Sequence, residues 1–163
     1  MKKLKLESRF IWRTNVKVIA RDLKGNIVDV QEFHNDIMNV GMNMFRDGLD
    51  GTVTDLEIKY LGIGGDNTAE DPSQDALISS FFQKAITSQA SGATGVMIST
   101  TYVAPGEANT PKIEELGWFA GVDADHEVTD SGIMISRALY PYQKTSLVSL
   151  QIIRTDTISD VTP

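Results

Sequence analysis

The chain has no cysteine, which excludes disulfides, thiol nucleophiles and cysteine metal ligands. That absence assigns no compartment. Histidine is nearly as scarce. His34 and His126 are the only two, and neither sits in H-E-x-x-H or another metal spacing. Structural zinc wants four nitrogen or sulfur ligands, so two histidines alone do not supply a site. No Gly-Lys-Ser or Gly-Lys-Thr occurs, which removes a P-loop, and no G-x-S-x-G offers a serine elbow. No run approaches the ~18 apolar residues of a membrane span. The opening "MKKLKLESRFIW" is basic, but no long apolar stretch follows it, so no signal peptide is expected. There is no internal repeat and no heptad pattern that would specify an oligomer number.

What is present suits one domain with a real core: 163 residues, 41% of them hydrophobic. Net charge is -7, unevenly spread. Residues 1–24 hold eight Lys and Arg against Glu7 and Asp22, 8 - 2 = +6, which leaves -13 for the rest. An acidic body argues against nucleic acid as a partner, because phosphate contacts need clustered cations. The basic segment reads either as a solvated strand face or as a docking element for an acidic neighbour, such as the body of another copy. Lys2, Lys3, Lys5, Arg9 and Arg13 are therefore candidate interface residues.

Periodicity places most of the elements. In "NVKVIARDLKGNIVDVQEF", Val16, Val18 and Ala20 share one face and Val28 and Val30 another. Lys24-Gly25-Asn26 supplies a hairpin turn. Ile37, Val40, Gly41, Met44, Phe45 and Leu49 then make a helical stripe. Asn35 or Asp36 is placed to cap its start and Gly48 or Gly51 to end it. Gly41 inside that helix suggests close approach of a strand, and Met38, Met42 and Met44 read as core filler. "DLEIKYLGIGG" is a strand. Asp71, Pro72 and Gln74 spell a second helix start, and Thr110-Pro111 a third, short helical turn. "VMISTTYV", "IMISRALYPY" and "TSLVSLQIIRT" are further strands. The expected fold is all-β: an antiparallel β-sandwich, jelly-roll-like, with two or three short helices. Residues 1–14 are expected as a basic arm, 15–155 as the sandwich and 156–163 as a polar, frayed tail.

The chemical candidates are few. Gly62, Gly64 and Gly65 end an apolar run, but the dinucleotide pattern G-x-G-x-x-G would need glycine where Asn67 stands. The next helix signal, at Asp71, comes too late to aim its dipole at a phosphate. These glycines read as a structural strand-end turn, through positive φ or close packing. "DADHEVTD" alternates Asp123, Asp125, Glu127 and Asp130, either a solvated loop or a weak cation site. The EF-hand spacing fails at Val128 and Met134. Glu114 and Glu115 are adjacent, and on a helix would point about 100° apart, so they do not face one substrate. Trp118-Phe119 plugs a sandwich end or, with Trp12, Tyr140 and Tyr142, offers aromatic surface to a partner or a glycan. No catalytic set, metal site or cofactor is expected.

The order of these pieces resembles that of small structural proteins of tailed bacteriophages, of the tail or tail-fibre type. The resemblance runs from about residue 15 to 155. It rests on His34-Asn35, then Val40-Gly41-Met42-Asn43, Leu49-Asp50-Gly51, Tyr60-Leu61-Gly62-Ile63-Gly64-Gly65 and Asp75-Ala76-Leu77. It continues through Ile113-Glu114-Glu115-Leu116-Gly117-Trp118-Phe119, Ser131-Gly132, Arg137-Ala138 and Lys144. Where that group usually has leucine before the phenylalanine, this chain has Trp118. The resemblance implies a non-enzymatic virion part, made in the host cytoplasm. Its partners would be other virion proteins and further copies of itself. Capsid decoration, and a receptor- or carbohydrate-binding module meeting host surface glycan, are the alternatives.

Overall fold

A computed structural model describes residues 9–161 of the chain. In order these form β1 (Arg9–Asp22), β2 (Ile27–His34), β3 (Asp36–Ile37), α1 (Asn39–Leu49), β4 (Ile58–Gly64) and β5 (Ser80–Ala85). Then follow β6 (Ser88–Ser91), β7 (Val96–Val103), β8 (Ile113–Ala120), β9 (Ile133–Tyr142) and β10 (Val148–Val161). The protein is β-rich, with two five-stranded sheets ordered β2-β1-β10-β7-β6 and β3-β9-β8-β4-β5. Every pairing is antiparallel.

The first sheet begins with the expected hairpin. Asp22 Oδ1 accepts from the backbone N–H of Lys24 and Asn26, and Gly25 takes φ +85°. That left-handed value is open to glycine without a Cβ penalty. Val16, Val18 and Ala20 of β1 and Leu150 and Ile152 of β10 turn inward and are buried. On β7 the inward residues include Ser99 and Thr101, while Tyr102 on the opposite face is 45% exposed. Hydroxyls thus face the space between the sheets, close to a buried charge described below.

The central strands of the second sheet, β4, β8 and β9, are buried on both faces, so apolar residues such as Tyr60 and Leu61, or Trp118 and Phe119, fall at consecutive positions. Leu61, Ile63, Leu116, Trp118, Ala138 and Tyr140 join the core shared with the first sheet. On the other face Tyr60, Phe119 and Met134 pack with Leu77, Ala124 and Met38 in a separate cluster. That outer cover comes from the start of α1 and from the loops after β4 and β8.

Several expectations are corrected. One α-helix, not two or three, occurs among the described residues. At Asp71 the capping signals do form: Asp71 Oδ1 accepts from Ser73 N, and Gln74 Oε1 accepts from Asp71 N. The turn does not propagate, because the backbone N–H groups of Ile78 and Ser79 bond to Glu115 and Phe81 and Phe82 belong to β5. Beyond Thr110-Pro111 lies β8, not a helical turn. The start of α1 is Met38, with no side-chain cap, rather than Asn35 or Asp36. Those two residues are drawn away: Asp36 pairs with β9, and the Asn35 side chain meets the Thr14 hydroxyl. At the other end Gly51 takes φ +81°, as a helix terminator does. Met38 and Met44 are core, while Met42 and Leu49 are exposed.

The segments expected as arm and tail also differ where they are described. Residues 9–14 and 156–161 pair with each other at one end of the β1–β10 ladder, with Phe10 opposite Asp160 and Thr14 opposite Asp156. Polar composition suggested fraying, but the alternation continues inward through Thr14, Arg154 and Asp156, whose polar groups find partners inside.

Candidate functional site

Two buried ion pairs organise the molecule. On the outer face of the second sheet, Glu115 and Arg137 are both fully buried, with Arg137 Nε donating to Glu115 Oε2 at 2.7 Å. Glu115 also accepts from Ser79 N at 2.8 Å and Ile78 N at 3.3 Å. Arg137 Nη1 donates to Thr68 O at 3.0 Å and Gln74 Oε1 at 3.2 Å. Glu70 Oε1 accepts from Leu139 N at 2.8 Å. Ser79, Ile78, Thr68, Gln74 and Glu70 all lie on the segment 65–79, which these bonds hold across the sheet face.

The glycines belong to the same device. Gly62 and Gly64 lie within β4, and none of Gly62, Gly64 and Gly65 has positive φ. The turn reading is therefore corrected to close packing. A Cβ on Gly62 would sit 2.9 Å from Leu77 Cδ1 and 2.9 Å from Phe119 Cε2. On Gly117 it would sit 2.9 Å from Leu77 Cδ2, and on Gly64 2.6 Å from Glu115 Cγ. The glycines form a trough in the sheet that receives Leu77 and the Glu115 side chain. Glu114, one residue away on a strand, points to the opposite side and bonds Lys112 at 2.6 Å. Asp130 sits behind this face, where burial and the Glu115 charge raise its pKa.

The second pair lies between the sheets. Arg154 Nε and Nη2 grip Asp156 at 2.7 and 2.6 Å. Arg154 Nη1 reaches the Ser136 hydroxyl on β9, and its guanidinium carbon lies 5.3 Å from the Trp118 ring centroid. Trp12 Nε1 donates to Asp156 Oδ1 at 2.8 Å. Arg154 thus ties one sheet to the other. Beside it a cavity of about 590 Å3 opens at the end of the molecule, lined by Trp12, Met44, Phe45 and Ile158 with Asp156 at its wall.

A third buried cation closes the loop before β8. Lys144 Nζ donates to Ala104 O at 2.8 Å, Pro105 O at 3.0 Å and Asn109 Oδ1 at 3.0 Å. Burial lowers its pKa, and the nearby Glu107, itself bound by Lys84, partly opposes that.

The candidate interface residues divide. Trp118 and Phe119 are 1% and 0% exposed, so they are core and not interface. Arg13 is exposed. Lys2, Lys3 and Lys5 lie outside the described residues, as does the Arg9 side chain. Tyr140 is buried and stacks on Tyr142, so Trp118 and Tyr140 are withdrawn from a glycan surface. In the 123–130 loop, Asp125 Oδ1 accepts from Glu127 N, and the Ser131 hydroxyl bonds the Asp125 backbone. Among the described residues no three His, Asp or Glu side chains are grouped to hold a metal ion.

What the sequence reading missed is that β2 lies at the edge of its sheet. Val28 and Val30 share a face as expected, but that face is outward, at 53% and 44% exposed. Comparison with protein-family models, curated proteins and solved structures finds no match to this chain.

Proposed function

We propose that this protein is a non-enzymatic structural part of a tailed-phage particle: a tail, baseplate or fibre-attachment component that works by self-assembly and by docking to neighbouring virion proteins. The observation that supports it most is where the ordered residues of the resemblance lie. Leu77, Glu115, Gly117 and Arg137 all act inside the molecule, where they pin a cover over one sheet. Lys144 does the same for a loop. Such residues build a rigid block, and the surface is left for contact. Strands β1 and β2, β6 and β7, and β10 form one sheet, and β3–β5 with β8 and β9 the other, so the chain crosses between sheets four times. That interlacing, with one shared core, supports a jelly-roll-like β-sandwich.

Immunogold electron microscopy of intact particles from the source tests the proposal. Label on the tail or its appendages is the expected result. Label spread over the capsid moves the role to shell decoration, and no label with an accessible epitope removes the virion reading.

A further inference from the structure

Among the described residues the two sheets present four edge strands, β2 and β6 on one, β3 and β5 on the other. A bare edge offers a row of unpaired backbone donors and acceptors, and natural sheets blunt their edges by shortness, charge or proline. Three of the four edges follow that rule. Strand β3 has two residues. Strand β6 has four, Ser-Gln-Ala-Ser, with no large apolar side chain. Strand β5 carries Lys84, held by Glu107 at 2.6 Å. Strand β2 is the longest of the four. It is eight residues long and contains neither proline nor lysine; its two carboxylates are engaged within the chain, Asp29 by Gln31 and Glu32 by Lys17, and Ile27, Val28 and Val30 are 55%, 53% and 44% exposed.

We infer that β2 pairs antiparallel with β2 of a second copy, about a two-fold axis normal to the sheet. The pairing joins two five-stranded sheets into one continuous sheet. Residues directly opposite in such a ladder share a face, so the axis passes at a residue and charge selects which one. An axis at Asp29 or at Glu32 sets two identical carboxylates against each other. An axis at Gln31 sets Asp29 against the partner's Phe33. An axis at Val30 sets valine against valine and places Asp29 opposite the partner's Gln31, on both sides. The Gln31 amide already donates to Asp29 of its own strand at 2.9 Å, so donor and acceptor stand on the face where the pairing needs them. The regular part of that ladder is Asp29–Gln31, since β2 bulges at Val28, and the Glu32 charge beside it is held by Lys17 at 2.8 Å. Val30 is the register that the side chains favour.

This names a surface for the self-association proposed above, but it rests on β2 alone and does not need the particle reading. Immunogold reports location only. Sedimentation velocity of the full chain at micromolar concentration reports pairing. The expected species has twice the 17.9 kDa chain mass, and Val30→Lys, which sets two ammonium groups against each other, removes it. Far-ultraviolet circular dichroism checks that the variant is folded. Val30→Cys gives a chain with a single thiol, and mild oxidation converts it to a covalent dimer. Val122→Cys, 77% exposed on a loop, stays monomeric under the same oxidation. A monomeric wild-type chain, an oligomer that survives Val30→Lys, or a Val30→Cys chain that does not cross-link overturns the inference. The cross-link decides the question if the lysine variant does not fold.

Discussion

At the scale of single residues, Glu115 has the largest consequences. Its carboxylate is fully buried, and four groups converge on it from two directions: Arg137 Nε, Ser79 N, Ile78 N and, behind them, the Asp130 charge. Replacing Glu115 by Gln keeps the shape but leaves the Arg137 guanidinium uncompensated. Breaking one side of a buried pair costs about 3–5 kcal/mol. Urea unfolding of Glu115→Gln is expected to show a loss of that order. The double variant Glu115→Gln/Arg137→Met should lose less than the sum of the two single changes, because no orphan charge remains. Equal losses for sum and double would mean that the two side chains act independently. The sequence made Glu115 visible but not intelligible. Read beside Glu114 on a helix, it was one of two acids pointing about 100° apart. On a strand the neighbours part to opposite faces, and only the path of residues 65–79 reveals what Glu115 binds. The glycine run had the same fate: its backbone role was legible, and its occupant, Leu77, was not.

At the scale of elements, local signals succeeded where no distant group competed with them. The hairpin turn at Gly25 and the helix over Gly41 and Met44 are where periodicity puts them, and the last strand is there too but runs on to Val161. The cap at Asp71 formed and then yielded, since Glu115 takes the N–H groups that a longer helix would have used. Gly41 is the clearest case of an element shaped by another. A Cβ there would lie 2.6 Å from Ile135 O and 2.8 Å from Ile135 Cα, both backbone atoms of β9. The same carbonyl accepts from Met38 N at 3.0 Å, so it anchors the start of α1. Alanine gains about 1 kcal/mol of helix propensity over glycine. Overpacking against backbone costs about 1–3 kcal/mol, and the anchoring bond would stretch as well. Gly41→Ala is therefore expected to lower the thermal midpoint. A raised midpoint would mean that α1 can shift off β9 freely, and that the close approach is not required.

At the scale of the whole molecule, alkaline stability reports how completely the second sheet is covered. Tyr60 sits under the cover, stacked on Phe119 with ring centroids 4.6 Å apart, and its hydroxyl donates to Ser131 O at 2.7 Å. Burial raises its pKa from 10.0 to about 12. The folded state therefore holds a proton that the unfolded chain releases first. The stability linked to Tyr60 is fully present below pH 10.0 and is lost as pH rises through about 12. Tyr140 and Tyr142, also raised by burial, act in the same direction. Lys144 acts in the opposite sense. Its folded pKa is lowered, so its contribution makes stability rise with pH until the unfolded lysine value of 10.5 is passed. Three tyrosines against one lysine predict a net fall above pH 10.0. Tyr60→Phe should cost about 1 kcal/mol at neutral pH for the lost hydrogen bond. It should also flatten the decline, because the phenyl ring has no proton to lose. The check is the urea midpoint of wild-type and variant chains across the alkaline range. Parallel curves would place the linked proton elsewhere and would mean that Tyr60 meets solvent when the cover breathes.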